Sequence, residues 1–330
     1  NAHDGTIVGV VVAAGEIERG RVTVLTSGTT GLLKLIAHTA ATLNTFDRVK
    51  SLPQHTWFMP YQIGSYAWYQ MVALGLFKEG QGLIPGDFSD LAASFEDAII
   101  RGVVTAISST PTFWRHALMS IDEDMLTRTQ LSSISMGGEI VDQGILDRLV
   151  ALYPKAQIRH IYASSEVGAA IVVSDGKAGF RADLLERTDG IIGVKMKEGR
   201  LYIRSPYANR VDAEGWVDTQ DLVEQRGDRI YFQGRAGNTM INVGGQKAFP
   251  QDIEAHLMTH EDVLWARVVA RKAPLMGALP VASIVLRKQM DEMAAELMLM
   301  AHCEAGLAEF AIPRMWDFLS DIPMKASLKS

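Results

Sequence analysis

The chain has 330 residues, enough for one large domain or two smaller ones, and its 48 % hydrophobic content supports a sizeable core. A net charge of -6, with no basic stripe carrying interleaved aromatics, argues against a nucleic-acid partner. Cys303 is the only cysteine, so no intrachain disulfide forms, which fits a reducing, cytoplasmic setting. The apolar run at residues 7–14 is far short of the roughly 18 residues a membrane span needs, and no basic segment precedes it. It reads as a buried strand rather than a signal peptide or anchor.

In chain order, the first informative stretch is residues 22–39. The β-branched run Val22, Thr23, Val24 feeds a loop of hydroxyls and glycines: Thr26, Ser27, Gly28, Thr29, Thr30, Gly31. Lys34 follows, and the segment after it is expected to be helical. Gly28 and Gly31 let backbone N–H groups turn toward an anion, because no Cβ stands in the way. The hydroxyls add donors and Lys34 a mobile positive charge. The pattern predicts a polyphosphate cradle on a strand–loop–helix corner. A Walker loop would need Gly-Lys-Ser/Thr at its end; Leu33 precedes Lys34 and Leu35 follows it, so that reading fails on spacing.

From residue 80 to 165, strand-like and helix-like stretches alternate. Residues 82–85 form a short apolar run. Ser89 is a candidate cap for a helix through residue 101 that would bury Leu91, Phe95, Ala98 and Ile99. Residues 103–107 read as a strand, and Pro111 can open the next helix. Residues 133–136 and 157–161 are strand-like, with a helix over 142–152 between them. This alternation implies a mostly parallel sheet covered on both faces, with ligands at the carboxyl ends of its strands. After Val173 the texture changes: residues 191–197, 200–204 and 229–232 read as strands joined by the short turns Glu198-Gly199 and Gly227-Asp228, an antiparallel region.

Another change falls at Gly234-Arg235. Beyond it come a strand ending in Val243, a helix opening at Pro250 with Asp252 and Glu254 in its first turn, strands at 263–270 and 281–286, and a Met-rich helix over 291–306. The expected organisation is α/β: a large domain, 1–234, with a mostly parallel sheet plus a β region, and a small α+β lid, 235–330. His256 and His260 lie four apart on a helix, but Leu257 stands where a metalloprotease helix needs glutamate, so they read as surface histidines. Met293, Met298 and Met300 read as core packing.

Six motifs then fall in a consistent order. They are Thr26–Lys34; Gly137-Gly138-Glu139; Tyr162-Ala163-Ser164-Ser165-Glu166; Gly215-Trp216-Val217-Asp218-Thr219-Gln220-Asp221; Gly234-Arg235; and Pro323-Met324-Lys325-Ala326-Ser327-Leu328-Lys329. A glycine loop, Asn242-Val243-Gly244-Gly245, with Pro250 and Glu254 accompanies them. Together they resemble the signature motifs of the adenylate-forming superfamily, the acyl- and aryl-CoA synthetases and their relatives. The resemblance runs from about residue 22 to the C-terminus, with Leu33 where proline is usual, Gln220 where glycine is usual and Leu328 where glycine is usual.

The resemblance implies an acyl-CoA synthetase-like fold. It also implies ATP-dependent activation of a carboxylic acid to an acyl adenylate, with release of pyrophosphate and transfer to CoA or an acyl carrier protein. The alternatives are a stand-alone adenylating enzyme passing acyl-AMP to an amine or other non-thiol acceptor, and a non-catalytic nucleotide-binding relative. Thr26, Ser27, Gly28, Thr29, Thr30, Gly31 and Lys34 are implied to hold the β- and γ-phosphates. Gly138 and Glu139 fall to the adenine side and Tyr162 lies against the base. Asp221 takes the ribose hydroxyls and Arg235 braces them. Glu166 holds Mg²⁺, Ser165 donates to the α-phosphate, and Lys329 bridges the carboxylate and α-phosphate.

Most relatives carry a long segment before the phosphate loop, so either the N-terminal lobe is reduced here or the chain begins late; a missing lobe would open the acyl pocket and favour self-association, with a homodimer as the expectation. The stretch Pro60-Tyr61-Gln62-Ile63-Gly64-Ser65-Tyr66 has no acid to hold an α-ammonium, which turns the reading away from amino acids. Tyr61, Tyr66, Trp68, Phe113 and Trp114 suggest an aryl or apolar acid.

Overall fold

A computed structural model describes residues 21–27, 33–46, 49, 52–185, 190–208, 211–235, 240–273 and 277–323. The expectations for residues 7–14, for Gly28, Thr29, Thr30 and Gly31 and for Met324 to Lys329 lie outside the described residues.

The chain opens with a hairpin. β1 (Arg21–Ser27) pairs antiparallel with β2 (Leu33–Thr39), with Thr26 opposite Lys34. The segment after the phosphate loop is therefore a strand, which corrects the expected helix: the pairing with β1 outweighs the helical propensity of Leu33, Lys34 and Leu35. A four-residue helix follows, α1 (Ala40–Leu43), capped by Thr39, whose hydroxyl accepts from the Thr42 N–H.

Next come β3 (His55–Met59), α2 (Tyr66–Phe77), β4 (Gln81–Pro85), α3 (Leu91–Ile100), β5 (Ala106–Ser109), α4 (Pro111–Ser120), the short α5 (Glu123–Leu126), β6 (Ser133–Gly137), α6 (Gln143–Leu152), β7 (Gln157–Ser164) and β8 (Gly168–Val173). The strands form a six-stranded sheet in the order β4-β3-β5-β6-β7-β8. All neighbours are parallel except β7 and β8. Each crossover helix starts on a side-chain cap: Asp90 for α3, Thr110 for α4, with Pro111 in its first turn, and Asp142 for α6. Ser89, the expected cap of α3, instead donates to the Asp87 carboxylate. The residue one step on is the cap because its carboxylate reaches the Ala93 N–H.

α3, α4 and α6 cover one sheet face and bury Phe58, Phe95, Phe113, Trp114, Ile134, Met136 and Leu149 in the main core. α2 covers part of the opposite face through Met71 and Leu74 on Trp57, Met59 and Ala106.

A second, antiparallel sheet runs β10-β11-β12-β13-β9. It is built from β9 (Phe180–Arg181), β10 (Gly193–Lys197), β11 (Arg200–Arg204), β12 (Val217–Arg226) and β13 (Arg229–Arg235). Its core, with Leu201, Ile203, Val223 and Ile230, continues onto Ile171 and Val173 of β8.

The last unit holds β14 (Ile241–Val243), β15 (Gln246–Ala248), α7 (Pro250–Leu257), β16 (Val263–Ala273), β17 (Gly277–Leu286), α8 (Glu292–Gly306) and β18 (Met315–Leu319). The sheet runs β15-β14-β17-β16, and β18 lies parallel to β17. α7 and α8 bury Ile253, Leu257, Leu299 and Cys303 against it. Among the described residues, this unit meets the large one at places that include the following. Leu264 and Trp265 cluster with Met119 of α4. Arg226 of β12 pairs with Asp252 of α7 at 3.3 Å.

Candidate active site

A cleft of about 2010 Å³ opens along the carboxyl ends of β5, β6 and β7, where Gly137, Gly138, Tyr162, Ser165, Glu166, Asp221 and Arg235 line it together. This is the end of a parallel sheet at which the chain turns from strand to helix and leaves room for a ligand. Four separate sequence motifs thus meet in one place.

The centre of the cleft is a carboxylate held from two sides. The Tyr162 hydroxyl donates to Asp221 Oδ2 at 2.5 Å, and Arg235 Nε donates to Oδ1 at 2.9 Å. Asp221 and Arg235 face each other in register across β12 and β13, so the ion pair is fixed by the sheet. Tyr162 comes from β7 of the other sheet. Its ring stacks on Phe232 with centroids 5.0 Å apart and planes at 13°. Burial pushes the Tyr162 phenol up, and the Asp221 charge pushes it further, so it stays a donor. Burial opposes the Arg235 charge, but Asp221 and then Glu166 outweigh it and raise the guanidinium above its ordinary value.

Ser165 and Glu166 sit in the tight turn between β7 and β8. The Ser165 hydroxyl donates to Glu166 Oε2 at 3.1 Å, and the Glu166 N–H donates to Ser164 Oγ at 3.3 Å. Around Glu166 lie Arg235, Tyr66 and His38, all of which feel its charge. Burial lowers the His38 imidazole and Glu166 pulls it back up. Gly138 has φ 81°, a left-handed turn that glycine adopts without strain, at the end of β6. Glu139 beyond it accepts from Thr112 N at 3.0 Å and Thr112 Oγ1 at 2.8 Å, which ties its carboxylate to the N-terminus of α4. Among the described residues no group of three or more His, Cys, Asp or Glu side chains is placed to hold a metal ion. A single carboxylate such as Glu166 fits an ion that takes its remaining ligands from phosphate oxygens and water.

The hairpin β1–β2 brings Thr26 and Lys34 into register at its loop end, beside Ser27 opposite Leu33. Of the aromatics expected in an acyl pocket, Tyr61 and Tyr66 line the cleft. The Tyr61 hydroxyl is engaged by Ser108 Oγ and the Ser109 carbonyl. Trp68, Phe113 and Trp114 are not among the lining residues: Trp68 packs beside Trp57 and Met71, and Phe113 and Trp114 of α4 are fully buried in the main core, which corrects that expectation. Residues the sequence reading passed over also line the cleft: Thr45 and Gln70, and at the junction of the two units Arg226; His38 lies within reach of the Glu166 charge. A buried polar side chain at an apolar position of a strand or helix was the available signal for His38 and Gln70.

The architecture, a mostly parallel α/β sheet joined to an antiparallel sheet and a small C-terminal α+β unit, is that of the adenylate-forming fold. The chain belongs to the AMP-binding enzyme family. The family model described as AMP-binding enzyme matches residues 21–216, and that of the AMP-binding enzyme C-terminal domain matches residues 252–329.

Among characterised relatives, the 2-succinylbenzoate–CoA ligase of Bacillus cereus (strain ATCC 10987 / NRS 248) is 30 % identical over 181 residues, covering 51 % of this chain and 35 % of the relative. The match thus spans about a third of that relative's length. Among solved structures, the anthranilate CoA ligase AuaEII in complex with anthranoyl-AMP superposes with a TM-score of 0.72 at 18 % identity, covering 93 % of this chain and 65 % of that one. The amide bond synthetase McbA from Marinactinospora thermotolerans gives 0.70 at 18 %, covering 92 % and 66 %. These likenesses show the fold. No described helix is long and apolar enough to cross a membrane.

Proposed function

We propose that the protein activates an aryl or apolar carboxylic acid with ATP, forming an acyl adenylate and releasing pyrophosphate, and passes the acyl group to the thiol of CoA. The observation that carries this reading is the convergence of Tyr162, Asp221 and Arg235 with Ser165 and Glu166 at one strand end. The aryl acid and the CoA acceptor are supported by the 2-succinylbenzoate–CoA ligase relatives. A homodimer and a cytoplasmic setting are parts of the same proposal; an acyl carrier protein in place of CoA is the alternative acceptor, separated by the CoA-consumption test below.

In this reading Asp221 accepts the ribose hydroxyls while Tyr162 and Arg235 hold its carboxylate still, so little reorganisation is needed when the nucleotide arrives. The Tyr162 ring, backed by Phe232, offers the adenine a flat wall. Gly138 brings backbone close to the base, and Glu139 holds the following segment to α4. Thr26, Ser27, Gly28, Thr29, Thr30, Gly31 and Lys34 receive the β- and γ-phosphates. Ser165 turns its hydroxyl from Glu166 to the α-phosphate, which leaves both Glu166 oxygens for Mg²⁺. Mg²⁺, when bound, supplies positive charge that offsets the charge of the polyphosphate.

The division is taken as 1–234 and 235–330, the small unit bringing Lys329 to the reacting carboxylate. A cation about 4 Å away is worth around 4 kcal/mol at an effective dielectric near 20, enough to carry much of the adenylation step.

The test is carboxylate-dependent exchange of labelled pyrophosphate into ATP across a panel of aryl and aliphatic acids, followed by CoA consumption with the best acid. Exchange with aryl acids is the expected result. ATP bound without exchange for any acid overturns the activity, and exchange without CoA consumption overturns the acceptor. Lys329→Ala should slow exchange by about 100-fold or more while leaving ATP affinity within about threefold, since the lost charge acts on the transition state. Equal loss of both removes the assigned role.

A further inference from the structure

The hairpin that carries the phosphate loop is a two-stranded sheet of its own and joins no other described sheet. Two strands alone are marginally stable in water, and the four-residue helix that follows is too short to hold itself. What fastens the base of this hairpin therefore decides where its far end, the Ser27–Leu33 pair, lies.

The fastening is on α2. Gln70 is 9 % exposed and uses every polar atom of its side chain. Its Oε1 accepts from Thr45 Oγ1 at 2.6 Å; its Nε2 donates to the Leu43 carbonyl at 2.7 Å and to Tyr66 Oη at 2.9 Å. Leu43 and Thr45 lie at the end of α1, directly below the hairpin. Tyr66, one turn before Gln70 on α2, packs its ring against His38 of β2 with centroids 5.0 Å apart. A reversed amide would face carbonyl oxygen with oxygen at Leu43, so only one orientation satisfies all partners. Tyr66 and Gln70 both line the cleft, on the side where Tyr61 and Met71 lie. One amide thus joins the base of the phosphate hairpin to the wall expected to receive the acid.

We propose that Gln70 is a positioning residue that locks the phosphate hairpin to the acyl wall, so that the sites for ATP and for the carboxylate hold a fixed distance. The inference rests on the nucleotide reading given above and deepens it. Its leverage follows from length. β1 has seven residues and is about 23 Å long, so a 5° slack at the base moves its far end, at Ser27, by about 2 Å. Displacements of about 1 Å at reacting groups can cost as much as about 100-fold in rate. A buried amide that has lost its partners, or partners that have lost the amide, would introduce such slack.

The test compares the full chain with Gln70→Leu, which keeps the volume and removes the polar atoms, and with Thr45→Val, which removes one bond. ATP affinity is read by calorimetry with Mg²⁺ present. Hydrogen exchange is read over residues 33–46 and over β5 to β7. The expected results are ATP affinity weaker by about tenfold in Gln70→Leu and about threefold in Thr45→Val. Exchange should be about tenfold faster over 33–46 and unchanged in β5 to β7. In pyrophosphate exchange kcat should fall by about tenfold or more in Gln70→Leu, beyond the rise in the KM for ATP, because misaligned reactants slow the chemical step, a split that mere loss of packing does not produce.

Unchanged ATP affinity in both variants, or faster exchange spread evenly over the large unit, overturns the proposal. If Gln70→Leu does not fold, Thr45→Val decides by the same readings. Calorimetry needs no turnover, so the Gln70 role is decided even where no acid supports exchange. A wild-type chain that fails to bind ATP overturns this inference together with the reading it rests on.

Discussion

Gln220 stands in the motif that brings Asp221 to the cleft, at φ 63°, a left-handed conformation that glycine adopts freely and a long side chain does not. The kink has a purpose visible in its neighbours. The Gln220 N–H donates to Asp218 Oδ1 at 2.9 Å and the Asp221 N–H to Thr219 Oγ1 at 3.2 Å, which turns the Asp221 carboxylate toward Tyr162 and Arg235. Glycine in this position would hold the same backbone at lower cost. Gln220→Gly is expected to raise the unfolding free energy by about 1 kcal/mol, read as a higher urea midpoint at unchanged slope. A lower midpoint would mean that the Gln220 side chain contributes more than the strain removes. The sequence exposed the residue as a departure from its family's pattern; only the backbone angle turns that departure into an energy. The same limit applies to the Tyr162 hydroxyl on Asp221. The two residues belong to different sheets and are 59 apart in sequence, so no local pattern could pair them.

Glu254, near the start of α7, illustrates a helix acid whose surroundings set its charge. It was expected as a first-turn acid at a helix N-terminus, but its side chain is only 12 % exposed and reaches back to accept from the Val268 N–H of β16 at 2.7 Å. Burial raises its carboxyl, and the Val268 bond and the charges of Arg267 and Arg115 oppose this without cancelling it. A carboxyl raised on folding contributes stability that is full below its unfolded value and is lost as pH rises through the folded one. Glu254→Gln keeps the bond to Val268 without the charge. It should therefore be more stable than wild type at pH 7, with the advantage shrinking at pH 4, as measured by urea unfolding at both. An advantage independent of pH would assign the effect to something other than burial of the charge.

How well elements could be read follows from the same competition between local and distant forces. α3, α4 and α6 were legible because each has an apolar stripe and an N-terminal cap, and β5, β6 and β7 because each is a short apolar run between those helices. The region around α2 was not assigned: Tyr66 to Phe77 is apolar on nearly all sides, and a helix without a polar face leaves no period to detect. β12 was missed for the opposite reason. Val217 to Arg226 is rich in polar and acidic residues, and its partners β11 and β13 make it a strand. The hairpin strand β2 was misread because Leu33 to His38 suits a helix until β1 is laid beside it.

At the scale of the whole molecule, the site is assembled across boundaries. Tyr162 belongs to the parallel sheet, Asp221 and Arg235 to the antiparallel one, and Arg226 of the latter reaches Asp252 of the small unit. The sequence located the members of this assembly because their motifs are local. It left the contacts between them unstated because each contact is made between distant segments. If the ribose engages Asp221, AMP should slow hydrogen exchange on both sides of the junction, in residues 157–164 and 217–226 alike. Protection confined to one sheet would place the nucleotide elsewhere. The wider consequence concerns what change the protein can tolerate. The acid proposed to greet the sugar is also the rivet between two slabs of the scaffold, so a drift away from aspartate at position 221 forfeits architecture along with affinity. Replacing that carboxylate would therefore be felt twice, once where the nucleotide is proposed to sit and once where the Tyr162 strand meets the Arg235 strand.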